Sequence, residues 1–209
     1  MPFLTQVAAG ASHDRLEKLM KQRVQPGANK DAIDRRIWDL FGEEWAVMFT
    51  DLSGFSRKVA EFGIIHFLQI IFESEQVFVP CIDRHDGILL KREGDSMLVI
   101  FRSVARAIEC AMEMQRAAKA YNADKCAAEK VLLCVGLGFG RMLRIGDHDV
   151  FGAEVNAASK LGEDTAKAWD ILATESVKTA AQDLPGLSFE ALPEAPPGAK
   201  AAYRITYQL

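Results

Sequence analysis

Two acidic turns, each closing an apolar run, constrain this chain more than any other feature. Trp45 to Phe49 is rich in β-formers, and Asp51 and Gly54 interrupt it where a buried strand gives way to a turn. The pattern returns further along: Gly87 to Lys91 reads as a strand, Arg92-Glu93-Gly94-Asp95 as a tight turn, and Met97 to Phe101 as a returning strand. If the two strands that end in acid lie side by side, Asp51 and Asp95 meet. Taken singly, either aspartate can be a simple turn cap. Taken together they repel unless a cation sits between them, and hard oxygen ligands beside a phosphate suit Mg²⁺ or Mn²⁺.

The remaining elements follow from periodicity. Ser12 to Val24 reads as a charged helix that ends before Pro26-Gly27, and a second runs from Asn29 or Asp31 to Gly42 with Ile33, Ile37, Leu40 and Phe41 at helical spacing. These two form an N-terminal helical extension over residues 1–43, which can cover the core, pack on a partner subunit or dock a regulatory partner. Ser53 to Glu61 reads as a short helix, Ile64 to about Arg84 as a long one with Pro80 near its end, and Val104 to Tyr121 as another. Val131 to Gly140, continued by Arg141 to Ile145, is a strand whose alternate glycines admit another backbone or a ligand. It lacks the helix start of a dinucleotide fingerprint. A turn at Gly146-Asp147-His148 precedes Asp149 to Gly152. A helix from Ala153 to Thr165, a strand Ile171 to Thr174, a helix Glu175 to Ala181, a Pro-rich loop Leu192 to Gly198 and a strand Ala202 to Tyr207 complete the order. The expected fold class is α+β, a single mixed but mainly antiparallel sheet with helices packed on it, over residues 44–209.

Bulk properties exclude several classes. A net charge of −4 offers no basic face for nucleic acid. No run of eighteen apolar residues and no secretory leader pattern occur, so no membrane association and a cytoplasmic location are expected. Cys81, Cys110, Cys126 and Cys134 show no C-x-x-C spacing and read as buried, reduced thiols.

Four motifs stand in order: Phe49-Thr50-Asp51 through Gly54-Phe55; His85-Asp86-Gly87 to Lys91-x-x-Gly94-Asp95; Gly136-x-x-x-Gly140; and Asp149-x-x-Gly152-x-x-Val155-Asn156-x-Ala158-Ser159-Lys160-Leu161. In combination they resemble the class III nucleotidyl cyclase catalytic domain, whose core is ferredoxin-like or palm-like, over about Trp45 to Thr179. The resemblance implies a head-to-tail homodimer with active sites in the subunit interface. One subunit would supply Asp51 and Asp95 with two Mg²⁺ or Mn²⁺ ions per site, with Gly54 and Phe55 beside the substrate. The other would supply Lys91, Asp149 and Asn156, with Lys160 as the cation at the reacting phosphate. A lysine beside an aspartate at the base-reading positions fits adenine, because N1 accepts and the 6-amino group donates, so ATP is expected over GTP. The product would be cyclic AMP with pyrophosphate. Two departures stand out: Lys160 occupies a position where the family usually has arginine, and the lysine that grips the terminal phosphates in many members has no clean counterpart, Lys200 lying too close to Tyr203. The alternative expectation is a cyclase-homology module that binds nucleotide or dimerises without catalysis.

Overall fold

The computed structural model describes residues 2–54 and 61–207, with side chains from residue 11 onward. Two helices, α1 (Pro2–Arg23) and α2 (Lys30–Phe41), lead into β1 (Gly42–Leu52), followed by α3 (Ile64–Arg84), β2 (Ile88–Glu93), β3 (Ser96–Phe101) and α4 (Val104–Tyr121). Then come β4 (Leu133–Ile145), β5 (Asp149–Phe151), α5 (Ala153–Ser159) with a π-helical turn (Lys160–Thr165), β6 (Ile171–Thr174), α6 (Glu175–Ala180), β7 (Ser188–Ala191) and β8 (Ala202–Thr206). The strands form one sheet in the order β2-β3-β1-β4-β6-β8-β7, with β5 added to β4. Only β4 and β6 run parallel among the described pairs. The α+β expectation is met. No described helix is long and apolar enough to cross a membrane.

Strand alternation decides which residues face which layer. On β1, Ala46, Met48 and Leu52 join Phe78, Ile108, Met114 and Val177 in the larger core, beneath α3, α4 and α6. Trp45 and Val47 point the other way, into a smaller cluster with Leu98, Ile100, Met142, Val150, Val155 and Ala158. Asp51, in step with Trp45 and Val47, therefore belongs to this second face, which α5 covers.

The glycines of β4 explain how α5 reaches that face. A Cβ at Gly136 would stand 2.1 Å from the Ala158 carbonyl oxygen and 2.4 Å from the Gly162 nitrogen, and one at Gly138 would stand 2.4 Å from the Glu154 carbonyl oxygen. Of the two readings left open by the sequence, close approach of another backbone is the one realised. Glu154 ties the start of α5 down, accepting hydrogen bonds from Phe139 N, Thr174 Oγ1 and Ser176 Oγ. Gly136→Ala should displace α5 at a cost of about 1–3 kcal/mol or more. At about 2–4 °C per kcal/mol for a chain of this size, a thermal melt resolves it, and a midpoint indistinguishable from the parent would contradict this packing.

Several expectations need correction. The first helix begins at Pro2 rather than Ser12. β7 was not anticipated; it is a mostly exposed edge strand paired with β8 alone. Cys81, Cys110 and Cys134 are buried free thiols, but Cys126 is exposed, because it sits in the polar connection after α4. Ser53 and Gly54 form a turn, and the rest of the helix expected up to Glu61 lies, save its last residue, outside the described residues. The helix α3 runs through Pro80 to Arg84.

Candidate active site

Asp51 stands one residue before the end of β1, and Asp95 occupies the turn between β2 and β3. It is β3, not β2, that lies beside β1, with Thr50 opposite Met97. The Thr50 hydroxyl accepts a hydrogen bond from Met97 N, and Ser96 Oγ reaches Asp51 Oδ1 at 3.5 Å, so the turn is pinned over the strand end. The left-handed backbone at Gly94, with φ of 60°, closes that turn. The two carboxyl groups are close enough to perturb each other's titration.

Their electrostatics are those of a pair lacking a counter-charge. Burial, then the Asp95 charge and the hydrogen bond to it, pushes the Asp51 carboxyl up to about 7. Asp95 is raised as well, by burial first. Asp95 Oδ2 is buried without a hydrogen-bond partner. An orphaned carboxylate oxygen beside a second carboxylate fits a hard divalent cation. Among the described residues no three His, Cys, Asp or Glu side chains converge on one point. An ion here would therefore complete its shell with water and substrate oxygens, the habit of Mg²⁺ rather than of an all-protein cage.

Lys91 on β2 and Asp149 on β5 also meet. Lys91 Nζ donates to Asp149 Oδ2 at 2.7 Å, and this partner raises the lysine pKa. The two side chains are each 33% exposed, so the pair is open to a ligand on one side. They line a small pocket of about 130 Å³ with Phe49, Ser96, Val155 and Glu163. Lys91 reaches this position through a register shift in the β2–β3 pairing between Leu89 and Lys91.

Asn156 and Lys160 lie four residues apart on α5 and its continuation, both exposed. Lys160 Nζ pairs with Asp164 Oδ2 at 2.6 Å, which raises its pKa. Neither belongs to the lining of the Lys91–Asp149 pocket. Gly54 follows β1 in a left-handed turn, with φ of 84°, and among the described residues no atom lies within 4 Å of where a Cβ would stand. Phe55 lies outside the described residues.

Sequence reasoning missed Glu163. It lines the pocket, and its charge contributes to raising both Asp51 and Asp95. The only available signal was its place one turn beyond Lys160, and the π-helical turn from Lys160 alters which residues of that segment share a face.

Comparison with known proteins gives a consistent result. The chain is 31% identical over 132 residues to a Rhizobium meliloti (strain 1021) protein named "Putative adenylate cyclase 3", covering 63% of this chain and 21% of that protein. Over 134 residues it is 28% identical to the serine/threonine-protein kinase pkn2 of Myxococcus xanthus, covering 64% of this chain and 16% of the kinase. It thus spans about a fifth of the length of these relatives. In fold it is similar to an adenylate/guanylate cyclase/hydrolase from Silicibacter pomeroyi, with a TM-score of 0.69, 24% identity and coverage of 78% of this chain and 95% of that one. The family model for the adenylate and guanylate cyclase catalytic domain matches residues 42–201, the stretch that carries both aspartates, the Lys91–Asp149 pair and α5. The chain belongs to the adenylate and guanylate cyclase catalytic domain family.

Proposed function

We propose that this chain is an adenylate cyclase that closes ATP to cyclic AMP, releasing pyrophosphate, at a site shared between the two subunits of a head-to-tail homodimer. The observation that carries the proposal is the convergence of Asp51 and Asp95 with one carboxylate oxygen buried and unpartnered. Mg²⁺ or Mn²⁺ bound there, two ions per site, would neutralise phosphate charge and make the ribose 3′ hydroxyl easier to deprotonate for in-line attack on the α-phosphate. Asp51 and Asp95 would hold the ions, with Gly54 and Phe55 beside the substrate.

Recognition of the base falls to the Lys91–Asp149 pair. Lys91 can donate to purine N1 while Asp149 accepts from the 6-amino group, and their mutual contact at 2.7 Å keeps both side chains in place before substrate arrives. Asn156 orients the ribose and Lys160 stabilises charge that develops on the reacting phosphate. Two features support the dimer. A pocket of about 130 Å³ is smaller than the ~300 Å³ at which ligand pockets begin, so the nucleotide needs a second wall. Asn156 and Lys160 are both exposed on one subunit, where a partner surface carrying the acidic pair could face them.

The direct test is incubation of the protein with ATP or GTP and Mn²⁺, followed by chromatography for the cyclic nucleotide. The base assignment has its own test. Lys91→Glu with Asp149→Cys should shift preference from ATP towards GTP, each mispaired contact costing about 1–3 kcal/mol because a buried donor or acceptor is left unpaired. An unchanged ATP-to-GTP ratio in kcat/KM would remove these residues from base recognition. One observation favours a second reading, a module that binds nucleotide without turnover: Lys160 stands where arginine is usual and is already engaged by Asp164. Saturable ATP binding with no cyclic product would select that reading.

A further inference from the structure

The base-reading aspartate sits on the least supported strand of the sheet. β5 is three residues long and pairs with β4 alone. The pairing of β1 with β4 begins at Gly42 opposite Leu143, so Arg144, Ile145 and the turn behind them project past the last strand that supports β4. A short two-stranded ribbon of this kind is marginal by itself.

The N-terminal helices hold the projecting tip. Ile145 is buried in a cluster with Leu19 of α1 and Ile33, Ile37 and Phe41 of α2, with Leu143 packed at its edge. Ile145 is the direct cross-strand partner of Asp149. The turn at Gly146 has left-handed backbone, and Ser12 of α1 stands about 3.8 Å from where its Cβ would be. The helices are pinned to each other by Arg23, which donates to both Asp34 oxygens at 2.6 and 3.0 Å. They are pinned to the sheet because Gly42 is at once the cap of α2 and the first residue of β1. Arg141 of β4 stacks 4.9 Å over Trp38 of α2. On the opposite side Val150 anchors β5 to the face shared with Trp45, Met142 and Val155, so strand and tip are held by different groups. The grip on the tip is incompletely packed: a groove of about 380 Å³ runs between the helices and the hairpin, lined by Leu16, Met20, Ile37, Trp38, Leu143 and Phe151.

We propose that α1 and α2 form a clamp that sets the position of Asp149, with Ile37 and Leu19 as positioning residues for purine recognition. This rests on the reading of Asp149 as a contact to the base. A shift of α2 is carried through Ile145 to Asp149 across one cross-strand pair, so movement of the extension retunes selectivity without touching the site. The groove supplies the slack for that movement.

The experiment compares the parent with Ile37→Ala, with the milder Ile37→Val, and with Ile108→Val, a change in the larger core cluster, separate from the cluster that holds Ile145, that serves as a stability control. For Ile37→Ala the KM for ATP should rise about fivefold with kcat within about twofold, and the preference for ATP over GTP should narrow. Hydrogen exchange should quicken in residues 145–151 and not in the β2–β3 hairpin. Ile37→Val should move the same way by less, and Ile108→Val should move none of these. KM, selectivity and exchange matching the parent, or moving equally in the control, would overturn the clamp. If the parent forms no cyclic nucleotide, the cyclase reading fails separately, and the clamp is decided by exchange together with the Kd of a fluorescent ATP analogue.

Discussion

Asp51→Ala is expected to abolish metal-dependent cyclase activity while leaving a folded protein, and Asp95→Ala to do the same. Each variant leaves one carboxylate to hold ions that otherwise rest on two, and neither aspartate contributes to an apolar cluster. Without metal and above about pH 7 the fold should gain rather than lose. In EDTA the native pair holds a proton more tightly than the unfolded chain does, since Asp51 is raised to about 7. That contribution is fully present below the ordinary carboxylate range and is lost as pH rises through about 7. The metal-free parent should therefore melt at lower temperature at pH 8 than at pH 5, and Asp51→Asn should lack most of that difference. Mn²⁺ should raise the melting point of the parent at pH 8 and leave Asp51→Asn nearly unmoved. The shared site gives a second readout. Asp51→Ala mixed with an Asn156→Ala, Lys160→Ala double variant yields heterodimers with one wholly unmutated site, and random exchange should return about a quarter of parental activity. Silence of the mixture, with heterodimers demonstrated, would sink the interface model. Parental activity in Asp51→Ala alone would sink the metal assignment.

The parts of this fold that could be read in the sequence are those in which one periodicity has one physical cause. β1 reads as an unbroken apolar run because its two faces meet different cores, and Asp51 near its end is conspicuous because it breaks that run one residue before the strand stops. The hairpin of β2 and β3 announces itself through Gly94 and Asp95. What was hidden depended on three-dimensional neighbours. The order of β3 and β2 beside β1 cannot be read from a hairpin pattern, since either strand satisfies it. β7 is only four residues long and mostly exposed, too short for its alternation to stand out from the loops around it. The glycines of β4 left ligand and backbone as equal readings until the Glu154 and Ala158 carbonyls appeared against them. Glu163 was invisible for a related reason: its bearing on Asp51 and Asp95 depends on where α5 lies across β4. The second subunit, which the proposed chemistry requires, leaves no periodic mark in a single chain.

Lys160→Ala should lower kcat on the order of 10²–10³, with a smaller effect on KM, the loss typical when one preorganised donor to a developing oxyanion is removed. Lys160 follows Asn156 by four residues, at the junction of α5 with its π-helical continuation, so a segment that presents Asn156 to the ribose presents Lys160 towards the phosphates. In the free subunit the ammonium rests on Asp164 at 2.6 Å, with both side chains more than half exposed. An ion pair this exposed is weak, so substrate phosphate competes for the lysine at little cost. Asp164→Asn should accordingly change kcat/KM by less than about threefold. Lysine brings a compact point charge where arginine brings a planar fork matched to two oxygens, and Lys160→Arg should hold or gain activity. A kcat for Lys160→Ala within about twofold of the parent would reduce Lys160 to a solvated helix residue, since a catalytic cation cannot be lost so cheaply.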